Sequence, residues 1–191
     1  IVLDADNTLW GGVCGEDGAA QVRLDGPWRA LGEFMVRKHD AGMLLCLCSK
    51  NQSADVERVF EERGAEMALK REHFAGWKAN WEPKSANIRE LAADLNLGLD
   101  SFVFLDDNPA EIAEVAANSR GVLALRIPET PDEIPEFQAT CGRWTRWARR
   151  RKTPRARLST GRSRSGANCA GRRRISRISC AASSDNETMA E

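Results

Sequence analysis

Two apolar runs in this chain each break off into paired aspartates. Ile1-Val2-Leu3 leads into Asp4-Ala5-Asp6-Asn7-Thr8, and about a hundred residues later Phe102-Val103-Phe104-Leu105 leads into Asp106-Asp107-Asn108-Pro109. Short, wholly apolar runs suit strands buried on both faces, which is the environment of a parallel sheet. At the carboxyl edge of such a sheet ligands bind, so acids from distant parts of the chain can meet at one point. Four carboxylates gathered in a half-buried place repel one another and need a cation. A hard, oxygen-seeking ion such as Mg²⁺ fits, since it takes a few carboxylates and keeps open positions for water and phosphate oxygens.

The intervening sequence alternates strand and helix signals, which predicts an α/β domain with a Rossmann-like, doubly wound parallel sheet. The Gly-rich stretch from Gly11 to Gly18, followed by the alternating Gln21-Val22-Arg23-Leu24, reads as a hairpin flap beside the acids. A helix is predicted over Trp28–Ala41, with Leu31, Phe34 and Met35 inward, then a buried strand over Met43–Leu47. Ser53 is placed to cap a helix that runs to about Arg63, with Val56, Val59 and Phe60 as its apolar stripe. Pro83 opens a further helix carrying Ile88, Leu91, Ala92 and Leu95 and closing near Gly98. A helix from Pro109 to about Asn118 and a strand over Val122–Leu125 complete the domain.

Charge divides the chain in two. Residues 1–142 hold 14 of the 28 Lys/Arg and 25 of the 28 Asp/Glu, a balance of −11, whereas Arg143–Arg177 holds 14 basic residues and no acid. An acidic body argues against a nucleic-acid-binding core, and nucleic acid is expected as a partner only if the basic tail is genuine. The six cysteines, Cys14, Cys46, Cys48, Cys141, Cys169 and Cys180, form no CxxC pair and no zinc spacing. A reduced, cytoplasmic chain is the economical reading. No apolar stretch reaches the roughly 18–20 residues that span a bilayer. The chain opens on Ile1, inside a strand, and reads as a fragment of something longer.

A carboxylate can attack phosphorus and so split one hard displacement into two easier ones. Asp4 is the candidate nucleophile. Asp6, two residues on, projects to the same side of the strand end, where its carboxyl can act as acid and base and its backbone carbonyl can reach a metal. Phosphoryl transfer rests on positioning and on neutralising the phosphate oxygens, so hydroxyls and a cation are needed nearby. Ser49, at the end of the neighbouring strand, and Lys84, at a helix start, meet that need, with Asp106 and Asp107 completing the metal set. Lys50 reads equally well as a phosphate contact or as a solvated loop lysine. His39 and His73 match no ligand pattern, and Trp10, Trp77 and Trp81 read as core or pocket wall.

In order, Asp-x-Asp-Asn-Thr, Ser, Lys and Asp-Asp resemble the four motifs of the haloacid dehalogenase (HAD) superfamily of phosphotransferases. The longer words Asp6-Asn7-Thr8-Leu9-Trp10-Gly11-Gly12-Val13, Cys48-Ser49-Lys50-Asn51, Asn80-Trp81-Glu82-Pro83-Lys84 and Val103–Pro109 look like its subfamily IIIC, the FkbH-like proteins, over residues 1–127. The resemblance implies an HAD-like fold and an aspartyl-phosphate enzyme using Mg²⁺ held by Asp4, Asp6, Asp106 and Asp107. Asp4, Asp6 and Lys84 would be catalytic, and Thr8, Ser49, Lys50 and Asn51 would bind substrate. It further implies dephosphorylation of 1,3-bisphosphoglycerate and loading of a glyceryl unit onto an acyl carrier protein for polyketide biosynthesis, with Cys48 as a candidate acyl thiol. The intervals between Asp6, Ser49 and Lys84 leave no room for a large cap domain, so the site stays open to a carrier protein's arm.

Residues 128–142 read as a linker and 143–191 as a basic tail, which as written should be disordered. An alternative origin is a reading frame that slips near Thr140, since GC-rich codons read one frame over permit an acidic, helical continuation. Two other functions fit the same residues: a generic HAD phosphatase acting on a small phosphate ester or phosphoprotein, and a truncated, non-catalytic binding module.

Overall fold

The apolar runs form the strands of one parallel sheet. In the computed structural model, which describes residues 1–128 together with Glu133, Glu136, Phe137 and Ala139, the strands are Val2–Leu3 (β1), Leu45–Ser49 (β2), Phe74–Ala79 (β3), Val103–Asp106 (β4) and Leu123–Arg126 (β5). Their order is β3-β2-β1-β4-β5 and every pairing is parallel. The chain winds outward from β1 to β3, crosses back, and winds the other way through β4 and β5. The order therefore reverses between β1 and β4, and the crevice at such a reversal is where open α/β sheets bind ligands.

Alternation along the strands feeds two apolar layers. Leu3, Leu45, Leu47 and Leu105 pack on one face against Leu31, Phe34 and Met35 of Gly26–Asp40 (α2) and Val56, Val59 and Phe60 of Ser53–Arg63 (α3). On the other face Val2, Cys46, Cys48 and Phe104 pack against Ile88, Leu91 and Ala92 of Lys84–Asp94 (α4) and Val115 of Pro109–Asn118 (α5). Gly76 lets α4 lie close on β3, because a Cβ there would sit 2.5 Å from the Leu91 side chain. This is the doubly wound arrangement that the alternation of strand and helix signals predicts.

Several local expectations are corrected. The Gly-rich stretch forms one helical turn, Cys14–Asp17 (α1), and a 3₁₀ turn, Ala19–Gln21; of the expected hairpin only the antiparallel bridge between Gly11 and Arg23 remains. Strand β2 starts and ends two residues later than read, so Ser49 is its last residue and Leu44 is exposed. Ser53 is the first residue of α3, and its hydroxyl bonds Glu57 in place of the helix backbone. Helix α4 closes at Leu95, and the following residue, Asn96, takes a left-handed φ of 51°, before Gly98 is reached. Strand β3 was not anticipated at all.

No cap is inserted among the described residues: β1 and β2 are joined through α1, a turn and α2, and β2 and β3 through α3 and a turn at Arg71–His73. The expected basic tail lies outside the described residues, as does most of the linker and, with them, Cys141, Cys169 and Cys180. No helix among the described residues is long and apolar enough to cross a membrane.

Candidate active site

Strand register brings the first acids together. Leu3 lies beside Leu105, and the Asp4 amide donates to the Leu105 carbonyl at 3.0 Å, so Asp4 and Asp106 leave adjacent strands at the same level. Lys84, the first residue of α4, reaches between them, with Nζ 2.7 Å from Asp4 Oδ1 and 2.6 Å from Asp106 Oδ2. Only 3% of Lys84 is exposed and none of Asp106. Asp4, Asp106 and the half-buried Asp107 each offer an oxygen within 4.8 Å of the others.

Electrostatics shows the strain of this gathering. Burial pushes the Asp4 carboxyl up to about 7; Lys84 opposes that rise and Asp106 adds to it. Burial alone would lower the Lys84 ammonium, but the charges of Asp4 and Asp106 hold it above its ordinary value. Asp107 is raised as well, first by burial and then by Asp106. One ammonium thus faces three carboxylates, and the donor set is all hard oxygen, the chemistry that suits a small divalent cation.

Past Asp4 the chain turns sharply. Asn7 takes a left-handed φ of 53°, and the amides of Thr8 and Leu9 both donate to the Ala5 carbonyl. Asparagine tolerates that conformation. The turn carries the Asp6 carboxylate toward Asn51, just past the end of β2. Its Oδ1 accepts from the Trp10 indole Nε1 at 2.8 Å and the Cys14 amide at 3.0 Å, and its Oδ2 accepts from Asn51 Nδ2 at 2.9 Å. Asn51 Nδ2 also donates to Ser49 Oγ at 3.0 Å, tying the end of β2 to the turn. The Thr8 hydroxyl is buried without a protein partner.

Of the sequence candidates, Lys50 is engaged elsewhere, and Cys48 is buried against the cluster with its thiol 3.9 Å from the Lys84 carbonyl oxygen. Lys50 Nζ is 2.8 Å from Glu111 Oε1 at the start of α5. Cys48 is fully buried in the apolar layer beneath α4, and burial pushes its thiol up to about 12, so it stays protonated near neutrality and is not presented to a carrier. The Asp6 carboxylate is not among the oxygens of the acid cluster. Trp10 is wholly buried and Trp77 half-buried, whereas Trp81 is 69% exposed, against the expectation that it lines a wall or core.

A cavity of about 230 Å³ opens beside Asp107, bounded by Asn7, Thr8, Trp28, Leu31 and Ile127 among others. Gly11 accommodates Trp28, since a Cβ there would fall 2.4 Å from the ring. Reading the sequence missed three positions: Trp10 and the Cys14 amide as partners of Asp6, and Glu114 of α5, which accepts from the Ser85 amide at 3.1 Å and the Ser85 hydroxyl at 2.6 Å. A signal existed for Trp10 alone, because a buried indole N–H must find an acceptor.

The architecture is that of a known phosphatase domain. The chain is 41% identical to the N-terminal part of the protein BF1531 from Bacteroides fragilis, whose crystal structure contains a phosphatase domain complexed with Mg, with a TM-score of 0.66. The match covers 73% of this chain and 38% of that one, so the chain spans well under half of that relative's length. No protein-family model matches the chain, and no curated protein does. The likeness supports the HAD superfamily and does not distinguish a subfamily within it.

Proposed function

We propose that this chain is a Mg²⁺-dependent phosphatase of the HAD type that passes a phosphoryl group through Asp4. The observation that carries the proposal is the buried Lys84 ammonium set between Asp4 and Asp106, with Asp107 completing a three-carboxylate cluster at the sheet's reversal point. Such a cluster contributes little to stability and serves a polyanion and a cation well. An oxygen of Asp4 attacks phosphorus, the bond from phosphorus to the leaving oxygen breaks, and Asp6 gives that oxygen a proton; Asp6 then takes a proton from the incoming acceptor. Lys84 steadies the negative charge on Asp4 and on the phosphate, while the Ser49 and Thr8 hydroxyls hold phosphate oxygens. Asp4, Asp106, Asp107 and the Asp6 carbonyl would hold Mg²⁺, which when bound neutralises charge on the transferring group.

The finer reading takes 1,3-bisphosphoglycerate as substrate and an acyl carrier protein as acceptor of its glyceryl unit. The open, uncapped edge favours it, since a carrier's arm needs an unobstructed approach. The Cys48 environment weighs against a thioester on that residue, so the carrier's own thiol attacks the C1 carbonyl, gives up its proton and breaks the bond from that carbon to the acyl-phosphate oxygen, which leaves as phosphate, while the 3-phosphate is the group that passes to Asp4 and then to water. The test incubates the protein with Mg²⁺, freshly generated 1,3-bisphosphoglycerate and a phosphopantetheinylated acyl carrier protein, then follows phosphate release and the carrier's intact mass. A glyceryl adduct that requires Asp4 supports the transferase. Phosphate release without an adduct leaves a phosphatase on a small ester or phosphoprotein, and neither signal reduces the chain to a binding module.

A further inference from the structure

We propose that Trp10 is a positioning residue for the acid/base carboxylate, docking Asp6 in one orientation through its buried indole N–H; this rests on the phosphatase reading above. The Asp6 carboxylate is held by three donors, the Trp10 indole, the Cys14 backbone amide and the Asn51 side-chain amide, of which the first two cannot turn into acceptors. Two of them meet at Oδ1 and fix the plane of the carboxylate, while Asn51 fixes its rotation from the other oxygen. Trp10 is the anchor of this set. It is wholly buried, its ring packs edge-on against Phe60 at 5.8 Å, and Phe60 in turn packs against Phe74 and Trp77. The indole therefore cannot swing away, and it transmits the rigidity of the aromatic layer to a carboxylate at the sheet's edge. A core residue that merely filled space would need no N–H at this position.

Trp10→Phe keeps most of the packing and removes the donor. A role through the acid/base group makes the loss depend on the leaving group: p-nitrophenolate departs with little need of a proton, whereas an alkoxide needs one. Turnover of glycerol 3-phosphate by Trp10→Phe should fall at least about tenfold, a share of the 10²–10⁴-fold that acid–base assistance supplies, while turnover of p-nitrophenyl phosphate falls less than about twofold. KM for both should stay near wild type. Equal losses on the two substrates, or none, would overturn the positioning role.

A second measurement stands apart from turnover and from the folding of that variant. In ¹⁵N-edited spectra of the otherwise native chain, Asp6→Ala should move the Trp10 indole N–H resonance upfield and speed its exchange with solvent by about tenfold or more, leaving the Trp77 indole unchanged. An unmoved Trp10 resonance would sink the docking geometry itself. Failure of turnover in the native chain with a Trp10 resonance that does respond would refute the phosphatase reading and leave the docking intact.

Discussion

Lys84 and Asp4 differ in what each would cost the fold if neutralised. Lys84→Met leaves Asp4 and Asp106 buried without their shared cation, and loss of one partner from a buried pair typically costs about 3–5 kcal/mol. Urea denaturation in EDTA should register a loss of that order, partly recovered when Mg²⁺ is added. Asp4→Asn removes a carboxyl that burial already pushes toward its neutral form, so its midpoint should stay close to native while turnover disappears; near-native turnover would reject Asp4 as nucleophile. The buried thiols give a third test. Iodoacetamide at about pH 7.5 should leave Cys14, Cys46 and Cys48 unmodified in the folded protein and alkylate all three in urea, read by peptide mass spectrometry. The acids could be picked out from sequence because charge at the end of an apolar run has no packing purpose, and Lys84 because it opens a helix after Pro83. The pairing of Lys50 with Glu111, 61 residues away, could not; for Trp10 a buried indole called for an acceptor, but that the acceptor is Asp6 depends on where the turn places that side chain.

Helix α4 begins without a capping side chain of its own. Pro83 precedes it and offers no side-chain acceptor, and the Ser85 amide is satisfied by Glu114 from α5. This contact sets the position of Lys84, the first residue of the helix, relative to the strand that carries Asp106. Glu114→Ala should destabilise the fold by about 1–2 kcal/mol, the usual worth of a lost cap, and should also lower kcat with KM little changed. A drop in stability with wild-type kcat would limit Glu114 to a structural role. Helices α2 to α5 were readable because each shows its own apolar stripe. Strand β3 was not, since Phe74-Ala75-Gly76-Trp77-Lys78-Ala79 lies at the sheet edge with only Phe74 fully buried, and its pattern of burial is too weak to announce a strand. The expected hairpin failed for a related reason: the Cys14 amide is used by Asp6, and the Val13 amide by Asp17 Oδ2, which turns the glycine-rich stretch into a helix.

For the molecule as a whole, the acid cluster ties stability to pH and to cations. The folded-state value for Asp4 lies above its ordinary 3.8, so its contribution is fully present below that value and is lost as pH rises through about 7. In EDTA the thermal midpoint should therefore fall between about pH 4 and 7 and level off above, and Mg²⁺ should flatten or reverse the fall, because the cation prefers the ionised carboxylates. Mg²⁺ at a hundred times its Kd should add about 2.7 kcal/mol. A midpoint indifferent to both pH and Mg²⁺ would argue against a metal at these acids. The parallel register of β1 and β4 also has a consequence for length variation. Adding or deleting one residue inside either strand would rotate Asp4 or Asp106 through to the other side of the sheet, whereas the same change in a loop before the strand is absorbed ahead of that edge. A descendant that kept every one of these side chains but shifted that spacing by one would preserve the motif and lose the centre.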